Sequence, residues 1–233
     1  MKRNGTEFEK FATGHMGINS MTLDTYQGVI TNIAKPIGMT PNIIEERQMN
    51  AVAMDVFSRL MMDRIIYLGH PISEQIANIV NAQLLFLEST GNEDIKIYIN
   101  SPGGSVYDGL GIYDSMQYVK PDIATINMGL CASMAYVLLC AGEKGKRSAL
   151  KHSRSMQHQP LGGAQGQASD IEITAKQIQI LKKELYDIIA FHTGKDYQTI
   201  HDDCDRDCWF TAEEALDYGV IDKIIGLNSR KKK

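Results

Sequence analysis

From about residue 50 the apolar positions alternate between two rhythms, and each rhythm predicts an element. Val52, Val56, Leu60 and Met61 share one helical face. Arg64-Ile-Ile-Tyr-Leu68 reads as a short strand closed by Gly69. Ile76, Ile79, Val80, Leu84 and Leu87 recur at three- and four-residue spacing and predict a helix over 72–89. Residues 94–99 alternate as a strand and run into the sharp turn Ser101-Pro102-Gly103-Gly104. A helix over 106–119 is ended by Pro121, and a strand over 123–128 follows. Residues 132–141 predict a short apolar helix, and 147–156 a strand. Gly162, Gly163 and Gly166 mark a loop. Ile171, Ile178, Leu181, Leu185, Ile188 and Ile189 then predict a long amphipathic helix over 170–192, stopped by Gly194. Thr211-Ala-Glu-Glu214 is a capping box that opens a helix ending near Gly219, before a last strand over 220–225. Strand and helix in alternation predict an α/β fold with a largely parallel sheet.

Residues 1 to about 48 keep no period and carry Gly5, Gly14, Gly17, Gly28, Gly38, Pro36 and Pro41. They read as an extension and not as core. With 233 residues and 43% hydrophobic content, the chain suits one generous domain. Lys and Arg number 24 against 28 Asp and Glu, a net charge of −4 that argues against nucleic acid as a partner. The one basic run, Arg230 to Lys233, reads as a solvated tail. The longest apolar run, 131–142, falls short of the roughly 20 residues of a membrane span. Glu7, Glu9 and Lys10 stand where a secretory signal would be apolar, so a cytoplasmic location is expected. Cys131, Cys140, Cys204 and Cys208 read as reduced thiols. His201, Cys204 and Cys208 lack a second ligand pair, so no metal site is expected.

Two predicted strand ends are rich in small residues: 100–104, and 129–135 directly before the apolar helix. Ligands of parallel sheets bind beyond strand carboxyl ends, and small residues let backbone amides approach them. A nucleotide loop is excluded, because Leu110 follows Gly104 and Gly109 where a Walker lysine is needed. Acyl transfer fits better. Ser133 sits at a strand-to-helix corner, and a hydroxyl needs a neighbouring base, for which His158 is the candidate. Taken singly, Ser133 reads as a helix N-cap and His158 as a structural histidine. The orienting carboxylate lies among Asp202 to Asp207, a cluster that also reads as a solvated acidic loop. The Gly-x-Ser-x-Gly elbow of α/β-hydrolases is missing.

Several segments together resemble the proteolytic subunits of the ATP-dependent Clp proteases, the ClpP family, over residues 41–227. They are Tyr98 to Gly104, Ala132-Ser-Met-Ala135, Ala141 to Arg147, His158 to Gly163, Gly166 to Glu172 and His192-Thr-Gly194. The resemblance implies a serine endopeptidase with Ser133 as nucleophile, His158 as general base and acid, and Asp207 as orienter, with Asp203 and Asp205 as local competitors. It places an oxyanion hole at the backbone amides of Gly104 and Met134. It implies a ClpP/crotonase-like α/β spiral of strand–helix units with a protruding handle helix at 170–192.

The family stacks two heptameric rings into a chamber that encloses the active sites. Arg206 matches an arginine that pairs across rings. A hexameric AAA+ unfoldase of the ClpX, ClpA or ClpC kind would feed in unfolded protein and hydrolyse the ATP, so this chain needs no cofactor of its own. Leu85, Tyr98 and Tyr118 match unfoldase-docking positions, whereas Lys96 replaces an aromatic residue there. The implied organisation is a propeptide over 1–37 cut near Ile37–Gly38, a peptidase domain over 38–227 and a basic tail over 228–233. Cys131 and Cys208, beside Ser133 and Asp207, are untypical and read as packing residues that could expose the site to oxidation. A non-catalytic ring subunit and a crotonase-type enzyme acting on acyl-CoA are the alternatives. The first conflicts with the presence of all three triad residues. The second leaves 158–172 unexplained.

Overall fold

The computed structural model describes Gly14, residues 42–47 and residues 50–226; the expected cut near 37–38 and the basic tail lie outside these. The described residues fall into two compact units that meet in sequence between Met62 and Asp63.

In the first unit, β1 (Asn42–Arg47) pairs antiparallel with β2 (Asn50–Asp55), and α1 (Val56–Met62) follows. The helical face expected from Val52 therefore begins later, at Val56. Asp55 is the reason: its carboxylate accepts the amides of Phe57 at 2.9 Å and Ser58 at 3.1 Å, which caps the helix start.

The second unit is built on a seven-stranded sheet. Its elements are β3 (Ile65–Leu68), α2 (Glu74–Thr90), β4 (Ile95–Ser101), α3 (Val106–Tyr118) and β5 (Ile123–Ala132). Then come α4 (Met134–Cys140), β6 (Ser148–Leu150), β7 (Arg154–Gln157), α5 (Ala168–Thr193) and α6 (Tyr197–Asp203). The last are β8 (Cys208–Phe210), α7 (Ala212–Tyr218) and β9 (Lys223–Ile225). The order β3-β4-β5-β6-β9 is parallel throughout. β7 joins β5 in parallel, and β8 adds to β7 in the one antiparallel pairing of this sheet.

On β4, Ile95, Ile97, Ile99 and Ser101 are buried while Lys96 and Asn100 are exposed, the period of a strand with one covered face. All seven residues of α4 are buried, so this short helix is the centre of the core. It packs on β4, β5 and β7 and between α3 and α5. Burying each of its leucines stabilises the fold by roughly 1.5–3 kcal/mol.

Three differences from the sequence reading shape the site. β5 runs on to Ala132, four residues past its expected end. Between its pairs Ile99–Asn127 and Ser101–Cys131 with β4, one residue on β4 (Asn100) faces three on β5 (Met128 to Leu130). The Asn100 side chain fills this bulge by accepting the Leu130 amide at 3.0 Å. The expected strand over 147–156 is two strands, because β5 pairs with β6 up to Asn127 and with β7 from Leu130 onward. Finally, α6 is a helix for which the sequence reading placed no element, and it takes in Asp202 and Asp203 from the start of the acidic cluster. Asp196 caps it through the Thr199 amide at 3.0 Å, and Ile200 is buried beneath it.

Candidate active site

The carboxyl end of β5 turns into α4 through Ser133, whose φ of 55° and ψ of −125° lie outside the regions ordinary residues prefer. Backbone bonds hold this corner: the Ser133 amide donates to Met156 O at 2.8 Å, and its carbonyl accepts Tyr136 N–H at 2.9 Å. Ser133 occupies the N-cap position, yet its hydroxyl caps nothing, which leaves it turned to the cleft. The corner is thus a sharp strand-to-helix elbow without the Gly-x-Ser-x-Gly sequence.

Space for the elbow comes from a neighbouring turn. Gly103 has φ 89°, and a Cβ there would fall 2.6 Å from Ala132 O, 2.8 Å from Ser133 Cβ and 2.9 Å from Met134 N. Gly104 docks the same turn on Ile72, where a Cβ would fall 2.1 Å from the Ile72 carbonyl oxygen. Among the described residues, the amides of Gly104 and Met134 donate to no protein acceptor. Two unspent donors therefore lie beside Ser133.

His158 follows β7 and Asp207 precedes β8. The antiparallel pairing of Gln157 with Cys208 brings both to the same end of the two strands. His158 Nδ1 lies 3.0 Å from Asp207 Oδ1. With Nδ1–H donated to the carboxylate, Nε2 is left as the proton acceptor. The His158 side chain is 17% exposed and that of Asp207 59%. Of the three candidate carboxylates only Asp207 reaches the imidazole. Asp203 instead accepts the Tyr218 hydroxyl at 2.6 Å, and Asp205 lies 3.7 Å from Arg206 Nε. Ser133 and His158 line one cleft with Val106, Met134, Val137 and Leu185. No hydrogen bond joins the hydroxyl to the imidazole among the described residues; in ligand-free enzymes such bonds are often long and tighten when substrate is bound.

The other candidate residues lie off this cleft. Arg206 is exposed. Leu85 on α2 and Tyr118 at the end of α3 are exposed, and Tyr98 on β4 is half-buried opposite Tyr67 of β3. Cys131 is fully buried, and burial pushes its thiol well above the usual range. Burial, helped by the Asp203 charge, also raises the half-buried Cys208. Reactive thiols need the opposite shift.

Sequence reasoning passed over Gln157, Tyr218 and the packing role of Gly103. The first two carry no motif. Gly103 had one signal, its place in a glycine pair directly after a strand.

The family model described as Clp protease matches residues 47–228. The chain is 58% identical over 225 residues to the ATP-dependent Clp protease proteolytic subunit of Porphyromonas gingivalis, covering 96% of this chain and 99% of that one. It is 60% identical over 220 residues to the subunit of the same name from Bacteroides fragilis, covering 94% and 98%. It is 55% identical over 188 residues to ATP-dependent Clp protease proteolytic subunit 1 of Prochlorococcus marinus, covering 80% and 96%. The chain belongs to the Clp protease family, a family of serine endopeptidases.

Proposed function

We propose that this chain hydrolyses peptide bonds through Ser133, His158 and Asp207. The observation that carries the reading is the His158–Asp207 contact at 3.0 Å, with His158 lining one cleft with a serine on a strained elbow. Ser133 Oγ attacks the scissile carbonyl carbon while His158 Nε2 takes its proton. Asp207 stabilises the imidazolium that forms. The negative oxygen of the tetrahedral intermediate accepts the amides of Gly104 and Met134. Collapse expels the amine, which takes the proton from His158 and leaves an acyl-enzyme. Water, deprotonated by His158, then releases the acid and restores Ser133.

In this reading the substrates are unfolded polypeptides, degraded inside two stacked heptameric rings. Ile171, Ile173 and Ile180 are exposed on α5, the handle of that assembly, and side chains of this kind call for a covering partner. Arg206 would pair across the rings. A hexameric AAA+ unfoldase would supply ATP hydrolysis and dock on Leu85, Tyr98 and Tyr118, of which Tyr118 is 77% exposed. The test is hydrolysis of a short fluorogenic peptide. Ser133→Ala is expected to lower kcat by about 10⁴-fold or more while the rings still assemble. Peptide turnover that survives the substitution would refute the assignment.

A further inference from the structure

His158 stands between two glutamines, and both are tied to the segment that leads to Asp207. The Gln159 amide donates to Cys204 O at 2.7 Å, and its side chain donates to Asp205 O at 3.0 Å. Gln157 reaches the same segment by a longer route. Its Nε2 donates to the Tyr218 hydroxyl at 3.2 Å, and that hydroxyl donates to the Asp203 carboxylate at 2.6 Å. The direction of the chain follows from proton count. Tyr218 has one hydroxyl proton and gives it to the carboxylate, so the group facing its lone pair must be the Gln157 NH2. Burial and the Asp203 carboxylate both raise the Tyr218 pKa, which keeps the phenol a donor.

The chain crosses a weak point of the fold. β8 has three residues, pairs only with β7 among the described residues, and ends its ladder at Gln157–Cys208. His158 and Asp207 are the next residues out on each strand. Asp203 closes α6 and Tyr218 closes α7, so Gln157 fastens the His158 side of that end to two helix termini.

Fold stability alone does not favour glutamine here. Gln157 is 1% exposed, and its Oε1 has no hydrogen-bond partner among the described residues. An apolar side chain of the same length would avoid that cost. We propose that Gln157 is a positioning residue, acting through Tyr218 and Asp203 to hold His158 at the spacing its Nδ1 needs to reach Asp207. The inference rests on the peptidase reading above.

The test compares Gln157→Met, Tyr218→Phe and the double variant on the assembled full chain, with kcat and KM for a short fluorogenic peptide and the melting temperature. Tyr218→Phe keeps the ring that packs on Phe210 at 4.8 Å and removes only the hydroxyl. Each single variant is expected to lower kcat about tenfold with little change in KM, since a small misplacement of a catalytic group costs rate and not binding. The melting temperature of Gln157→Met is expected to hold or rise. The double variant should lose no more than the worse single one, because both cut one chain. Wild-type kcat in the single variants, losses that track a falling melting temperature, or a double variant whose losses multiply would each overturn the inference. If Gln157→Met fails to assemble, Tyr218→Phe decides alone by the same criteria. Wild type and Ser133→Ala run in the same assay. Wild type without Ser133-dependent hydrolysis would overturn the peptidase reading and this inference with it, whereas an active wild type with unaffected variants overturns only the inference.

Discussion

Ser133 is held at φ 55° by its neighbours and not by its own sequence context. An elbow serine usually has glycine two residues away on each side, to let the chain turn. Here those positions are Cys131 and Ala135, and the room comes from Gly103 across the turn. This is why Ser133, its strand-to-helix corner and His158 were legible as candidates while the strained conformation of the corner was not. A serine before an apolar helix is visible in one dimension; a missing Cβ in the turn after another strand is not. Gly103→Ala would set a methyl against Ala132 O and Met134 N and shift both the serine and an amide beside it. We expect peptide-hydrolysis kcat to fall at least about 10²-fold, the scale of losing one oxyanion donor. Near-normal kcat in a folded Gly103→Ala variant would show that the turn yields without moving the corner.

Among the elements, those with a long apolar period were read well. α5 covers 168–193 against an expected 170–192, and the Thr211 capping box opens α7 as its residue types demand. The misreadings lie where tertiary pairing overrides pattern. Residues 147–156 read as one strand, but the bulge in β5 divides their pairing into β6 and β7. The carboxyl end of α5 is pinned by Arg147, which donates to His192 O at 2.8 Å and pairs with Asp222 at 2.6 Å. Burial there, reinforced by the Arg147 charge, pushes His192 down to about 4, and Nε2 faces the Tyr113 hydroxyl at 3.1 Å. The folded protein thus keeps His192 neutral where the unfolded chain, near the ordinary 6.5, takes up a proton. This contribution is complete above pH 6.5 and is lost as pH falls toward about 4. Asp222 acts in a lower window. Burial pushes its carboxyl up, but the Arg147 bonds and charge outweigh this and hold it below 3.8. Melting temperatures between pH 6.5 and 4 should therefore fall less in His192→Gln than in wild type. Identical slopes would show that protonated His192 is accommodated.

For the whole molecule, strand–helix alternation was enough to indicate a parallel α/β sheet, and the sheet explains why the site lies where it does. The turn after β4 and the corner after β5 are carboxyl ends of adjacent parallel strands, and β7 delivers His158 to the same edge. The antiparallel β8 had no signal in its three residues, yet it brings Asp207 to His158. Four elements thus converge on one serine. The central claim is that this convergence activates Ser133, and a serine-reactive fluorophosphonate reads that most directly. Intact mass of the wild type after treatment should show one adduct per chain, absent from Ser133→Ala. A folded wild type that stays unmodified, or an adduct that persists in Ser133→Ala, would contradict it.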